Sequence, residues 1–330
     1  MTETPAAAGP EDRKFADLSK RWLDETLRLN PIGATTTGDH RYDSEVGDYS
    51  AAGRAQRYAM TKAVLGDLEA IDRGKLTRDN QVDAAILENQ LRGDLWQVDA
   101  LKDYAWDPLG YSYLAGGALN GLFAREFAPL PNRLRSAMDR MEKLPSIFAA
   151  ARENLVPARV PDIHATTYSN QNKGLNSLVD EMAAQAGALP EGERPRMAAA
   201  AAKLKAAIAE HQAWIDGALV PNAKGDFRIG AALYDQKLRY TLNSTLSRAE
   251  IRQRADAAFQ AMRNEMYGLA KTVLNGRAGA PVGSLRMMCP NGASLLPDRT
   301  LNCCGPGCSA GDVQADVADG TRASHFRTKA

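Results

Sequence analysis

From Ile251 onward the chain carries one apolar stripe, Ile251, Ala255, Phe259, Met262, Met266, Leu269 and Val273, recurring every three or four residues. That period puts the stripe on one face of an α-helix and excludes a strand, whose side chains alternate between faces. The start of the helix is specified as well. Ser247 and Glu250 form S-x-x-E, in which the serine oxygen accepts from the Glu250 amide and the glutamate reaches back to the Ser247 amide. Leu246 and Ile251 occupy the flanking hydrophobic-staple positions, and Asn275-Gly276 supplies a left-handed stop. The spacing predicts a helix of roughly 27 residues, about 40 Å long. An apolar face of that length needs a partner surface, which favours a fold built of packed helices.

The preceding chain repeats this pattern. A helix is expected over 11–29, with Phe15, Leu18, Trp22, Thr26 and Leu29 on one side, ended by Asn30-Pro31. The Gly/Thr/Asp-rich stretch 33–50 reads as a loop, and Ser50 caps a helix running to about Asp72. Caps at Thr77 to Asp79 precede the stripe Leu87, Leu91, Leu95, Val98 and Leu101. The stretch 106–123 is punctuated by Pro108 and Gly116-Gly117 and reads as irregular at first. Pro129 and Pro131 open a helix that breaks or kinks at Pro145, and PARVPDIH (157–164) reads as extended. Further helices are expected over 175–185 and 196–219, the second containing a run of alanines. No stretch alternates over five residues with β-branched side chains. The expected fold class is all-α, an array of roughly eight helices without a fixed-period repeat.

The order fades after Gly276. Residues 277–330 hold seven glycines, four prolines and all four cysteines (Cys289, Cys303, Cys304, Cys308), with no helical stripe. The expected organisation is therefore a disordered leader over 1–10, a helical domain over 11–276, and an irregular, frame-shifted or otherwise non-native tail over 277–330. The tail cysteines with His325 lack the C-x-x-C pairing of a zinc site. GCSAG (307–311) matches G-x-S-x-G without the strand and helix that a nucleophile elbow needs.

Charge excludes some partners. With 41 basic and 40 acidic side chains the formal charge is +1, which leaves no footprint for nucleic acid or an anionic membrane. No run approaches the length of a membrane span, and the first residues, MTETPAAAGPEDRKF, do not form a signal peptide. The location expected as written is cytoplasmic, or periplasmic or secreted if the true start lies upstream.

Two polar groups are candidate substrate contacts. Asp39, His40 and Arg41 lie in the densest polar cluster on an expected loop, where Arg41 can grip a peptide carboxylate bidentately. The plainer reading has Asp39 and Asp43 capping turns while Arg41 pairs with a neighbouring helix. Arg228, Tyr234 and Lys237 precede the capped helix, and Tyr234 and Lys237 share a helical face that can offer a hydroxyl and an ammonium to an oxyanion. The plainer reading packs Tyr234 and leaves Lys237 solvated. No catalytic residue and no metal ligand is assigned.

Several ordered islands, PIGATTTGDHRYD (31–43), WDPLGYS (106–112), REFAPLPNRL (125–134), PARVPDIH (157–164) and FRIGAALYDQKLRY (227–240), resemble the bacterial family known as domain of unknown function 885. Its full-length members look like α-helical zinc metallopeptidases, so the resemblance implies half of such a fold, with peptide as the substrate of the full-length protein. It also implies an HExxH helix, in which two histidines hold zinc and the glutamate activates water. The four histidines here are followed by Arg41, Ala165, Gln212 and Phe326, so none begins H-E. The expected role is the N-terminal, cleft-wall half of a peptidase without activity or zinc of its own. The alternative is a stand-alone helical interaction scaffold. In either case exposed apolar helix faces offer a route to self-association.

Overall fold

A computed structural model of the chain describes residues 9–274. Among the described residues there is no strand, and the one pairing of extended backbone is an isolated parallel bridge between Pro161 and Gly225. The expected leader lies mostly, and the expected tail wholly, outside the described residues, as does the stop at Asn275-Gly276. Helix α1 spans Pro10–Leu29, α2 Pro31–Thr37, α3 Ala51–Glu69 and α4 Arg78–Trp96. Helices α5 (Leu109–Phe123), α6 (Leu130–Lys143), α7 (Pro145–Asn154), α8 (Asp162–Ala184) and α9 (Arg194–Trp214) follow. Helices α10 (Ala231–Leu242) and α11 (Arg248–Leu274) complete the series. The last turns of α4 and α9 widen into π-helix over Gln97–Leu101 and Ile215–Leu219.

The chain divides into two units, one ending at Leu246 and one beginning at Ser247. The boundary falls inside the stretch 11–276 that reads as one helical domain. The described part of the second unit is α11 with its cap. The Glu250 amide donates to Ser247 Oγ at 3.2 Å, and the Ser247 amide donates to Glu250 Oε2 at 2.9 Å. The capping box thus forms as its residue types dictate. Phe259, Met262, Met266 and Leu269 of its stripe are exposed.

The first unit has two apolar clusters. The smaller gathers α1, α3 and α4 through Phe15, Leu18, Leu68, Leu87 and Leu91. Its helices are clasped at one end by Asp12, which accepts from the Gly9 amide and, across to the start of α4, from the Thr77 amide and Asn80 Nδ2. These donors hold the Asp12 carboxyl down at about 2. The larger cluster runs through α5 to α9, where Leu119, Leu122, Leu134, Met141, Phe148, Val179 and Ile208 are buried. Burying each such side chain contributes about 1.5–3 kcal/mol relative to leaving it exposed.

Several helices depart from the sequence reading. PIGATTT is helix α2 rather than loop, because Pro31 sits at its first position and Asn30 Oδ1 accepts from the Gly33 amide. The stretch from Leu109 is helical despite its paired glycines. On this helix the glycines permit close packing: a Cβ at Gly117 would lie 3.4 Å from Ile32 of α2. PARVPDIH is extended only around Val160 and Pro161; Pro157–Arg159 is one 3-10 turn and α8 starts at Asp162, thirteen residues before the expected 175. Gly225 meets this segment so closely that a Cβ there would stand 1.9 Å from the Arg159 carbonyl oxygen.

One buried cation organises the turn between α2 and α3. Arg140 of α6 is fully buried and donates to the carbonyls of Ala118 (2.8 Å), Glu45 (3.0 Å) and Pro31 (3.2 Å) and to Thr35 Oγ1 (2.6 Å). Thr35 in turn donates to buried Asp43 at 2.6 Å. Burial drags the Arg140 pKa down to about 10.

Candidate functional site

The two clusters of the first unit do not close completely against each other. Trp22, Met60 and Leu95 pack on the smaller one, Tyr49 and Leu114 on the larger, and all five line a cleft of about 420 Å³. That volume lies within the range of small-molecule pockets. Its apolar floor comes from helix faces that each cluster leaves partly uncovered.

One wall is cationic. Arg54 and Arg57 stand one turn apart on α3, so both side chains face the same way. Arg54 donates to Asn154 Oδ1 at 2.7 Å, and its guanidinium lies 3.8 Å over the Tyr104 ring. Arg57 donates to the Asp48 carbonyl at 2.5 Å and lies 5.0 Å over the Tyr49 ring. Burial pulls the Arg57 pKa downward. Among the described residues neither guanidinium forms an ion pair with a carboxylate, whereas Arg21 and Arg28 of α1, Arg135 of α6 and Arg196 of α9 do.

The same cleft also holds carboxyls. Asp94, near the end of α4, accepts from Gln90 Nε2 at 2.7 Å. Asp103 accepts from the Tyr104 amide at 2.8 Å and from the Gln97 amide group. Burial pushes both carboxyls upward, and the charge of Asp107 pushes Asp103 further. The π turn between Gln97 and Leu101 carries the chain from Asp94 to Asp103, so both carboxyls line the same cleft. Tyr49 and Tyr111 are pushed up to about 12 by burial, which keeps their hydroxyls neutral; they donate to Asn30 Oδ1 and to the Tyr104 carbonyl. Thr26 Oγ1, also on the lining, is buried with no hydrogen-bond partner. The cleft therefore holds side chains of both charges beside apolar surface, a composition suited to binding a dipolar molecule.

None of the six sequence candidates lines this cleft. Asp39 caps the 3-10 turn His40–Tyr42 and holds Arg41, whose Nη2 also donates to Asp24 of α1 at 3.0 Å. His40 Nδ1 lies 3.0 Å from Asp43, and its ring stacks on Phe127 at 3.7 Å. Asp39, His40 and Arg41 thus act together as a latch between α1 and the turn. Arg228 bonds Asp226 and lies over Phe227, while Tyr234 and Lys237 are exposed on α10. Helix α10 is fixed to α4 by Asn89 Nδ2 donating to the Tyr240 carbonyl and by Trp96 donating to Gln236. Among the described residues no contact joins the first three candidates to the second three.

Among the described residues no group of three His, Cys, Asp or Glu side chains is placed to hold a metal ion. His211 is buried between Phe148 and Trp214, with Nε2 2.8 Å from the Tyr168 hydroxyl, and His164 lies against Asp107 at 3.4 Å. Among the described residues His40, His164 and His211 thus stand in three separate environments, and His164 Nδ1 is buried without a hydrogen-bond partner.

The sequence reading passed over Arg54, Arg57, Asp94 and Asp103. The one usable signal was Arg-x-x-Arg on a helix with no acid four residues from either arginine. Among the described residues no helix is long and apolar enough to cross a membrane.

Comparison with known proteins places these features in context. The family model described as "Bacterial protein of unknown function (DUF885)" matches residues 31–299, which carries the match past Gly276. No curated protein matches the chain. A solved structure described as a "putative lipoprotein of unknown function" from Shewanella oneidensis is similar at 27% identity with a TM-score of 0.70, covering 83% of this chain and 51% of that one. The chain spans about half the length of that structure.

Proposed function

Since the chain belongs to the bacterial family of unknown function DUF885, we propose that it is the non-catalytic, peptide-binding half of a zinc-peptidase-like protein. The cleft between α1, α3, α4 and α5 is its binding wall. The observation that carries this reading is that Asp107, Gly110 and Tyr111, all from the family-like island WDPLGYS, line the charged cleft. Exposed Tyr234 and Lys237 on α10, together with Arg228, are placed to meet a peptide or an adjoining domain, while Asp39, His40 and Arg41 keep the turn beside α1 in place. No H-E pair occurs in the sequence, so the metal-binding helix of a peptidase is not supplied by these residues.

The experiment is twofold. Isothermal titration of the purified protein with leucyl-leucine is expected to give saturable heat, and a peptidase assay with and without added zinc is expected to give no turnover. Zinc-dependent turnover would overturn the non-catalytic half of the reading. The solved relative's description as a lipoprotein favours the cell envelope over the cytoplasm as the site of action, which fractionation of expressing cells decides.

A further inference from the structure

Charge, spacing and floor together narrow the ligand class. Arg54 and Arg57 stand about 5–6 Å apart at Cβ, as positions i and i+3 on a helix do. Two guanidiniums at that spacing can approach both oxygens of one carboxylate, and both lack a carboxylate of their own among the described residues. In the same cleft, Asp94 has one carboxylate oxygen bonded by Gln90, and its other oxygen has no donor among the described residues. Asp103 keeps lone pairs beyond those taken by Gln97 and Tyr104. Trp22, Met60, Leu95 and Leu114 complete the lining with apolar surface.

A simple anion would satisfy the arginines and be repelled by the aspartates; a simple cation would do the reverse. A molecule with one charge of each sign, separated by an apolar body, answers both. We infer that the cleft recognises the zwitterion of a free amino acid or dipeptide, with Arg54 and Arg57 taking the α-carboxylate and Asp94 with Asp103 taking the α-ammonium. This inference rests on the peptide-binding reading and specifies it: both free ends of the ligand are read, as in a site for terminal products rather than for the middle of a long chain. The upward push on Asp94 and Asp103 agrees with it, since an ammonium between them restores the charged form that burial disfavours. The unpartnered Thr26 hydroxyl adds a donor or acceptor for the ligand's amide.

The test compares four ligands on the unaltered protein by isothermal titration: leucyl-leucine, its N-acetyl form, its C-terminal amide and the doubly capped peptide. Each single cap removes one charged hydrogen-bonding end and is expected to weaken binding by about tenfold to a hundredfold, the equivalent of about 1.5–3 kcal/mol. The doubly capped peptide is expected to show no saturation. Asp94→Asn is expected to weaken the free and amidated peptides while leaving the N-acetyl peptide unchanged, which locates the ammonium at that carboxyl. If either singly capped form binds as tightly as leucyl-leucine, the inference is overturned while the peptide-binding reading stands. If none of the four binds, that reading itself falls.

Discussion

The cluster around α1, α3 and α4 is nearly free of buried polar groups and is tied at its end by Asp12. The cluster spanning α5 to α9 encloses Arg140, Asn172 and His211 within its apolar packing. The smaller one is held as a conventional amphipathic layer, with exposed ion pairs such as Arg92–Glu88 on its outside. The larger one spends interior space on polar side chains that bond backbone and one another. Arg140 bonds the carbonyls of Pro31, Glu45 and Ala118, and through Glu45 it ties down the turn that leads to Tyr49 on the cleft. A cleft arises where these two kinds of packing meet, because neither cluster's surplus apolar surface is shaped to cover the other's.

Four measurements would sharpen or break that contrast. The largest effect is expected from Arg140→Met, which removes the buried donor to the Glu45 carbonyl and the Thr35 hydroxyl. Although relief of the buried charge offsets part of the loss, urea unfolding is expected to show about 3–5 kcal/mol of destabilisation. A change under about 1 kcal/mol would mean the polar tie is dispensable. Next, Leu119→Ala and Leu91→Ala remove fully buried side chains from the larger and the smaller cluster, each at about 2–5 kcal/mol. Hydrogen exchange is expected to rise in α1, α3 and α4 for Leu91→Ala while α6 and α9 keep their protection; a uniform rise would erase the distinction between clusters.

Acid separates the clusters further. The buried His211 ring, beside the Arg152 charge, has its pKa pushed down to about 3, against 6.5 when unfolded. Below pH 6.5 the unfolded chain therefore takes a proton that the native ring refuses. Stability should fall as pH drops from 6.5 toward 3, by up to about 1.4 kcal/mol per pH unit, and His211→Gln should remove that slope. The smallest effect belongs to Asp12, whose folded value of about 2 lies below the usual 3.8. Its contribution is present above 3.8 and is lost as pH falls toward 2, so Asp12→Asn should flatten only that last limb in a pH series of urea midpoints. If the Asp12 limb begins above that of His211, the assignment of the two clusters to different acid windows is wrong.

Much of the fold was legible because apolar side chains recur along α1, α4, α6 and α11 with helical period, and because Ser50 and Ser247 cap where caps were read. Helix α2 was hidden by its own composition: Pro31 reads as a stop after α1 but serves equally well as a first residue, where its missing N–H costs nothing. Helix α5 was hidden by Gly116 and Gly117, whose turn-forming character is overridden by the burial of Tyr111, Ala115, Ala118, Leu119 and Leu122 along one helical face. The cleft was not legible at all. Arg54 and Asp94 stand 40 positions apart, and no spacing in the sequence announces that they line one opening. The polar cluster 39–43 drew attention because it is dense, yet its density reflects mutual pairing, which leaves little to offer a ligand.

The π turn at Gln97–Leu101 gives the acidic residues of the cleft an unusual genetic asymmetry. A π turn takes up one more residue than an α turn within about one revolution, so losing a single residue there would let the helix relax to ordinary pitch while the chain beyond kept its direction. Losing a residue from the regular turns of α4 would instead rotate everything beyond it by about 100°. A one-codon deletion within Gln97–Leu101 should therefore leave Asp103 at the opening, whereas the same deletion between Leu87 and Asp94 should carry both carboxyls off it.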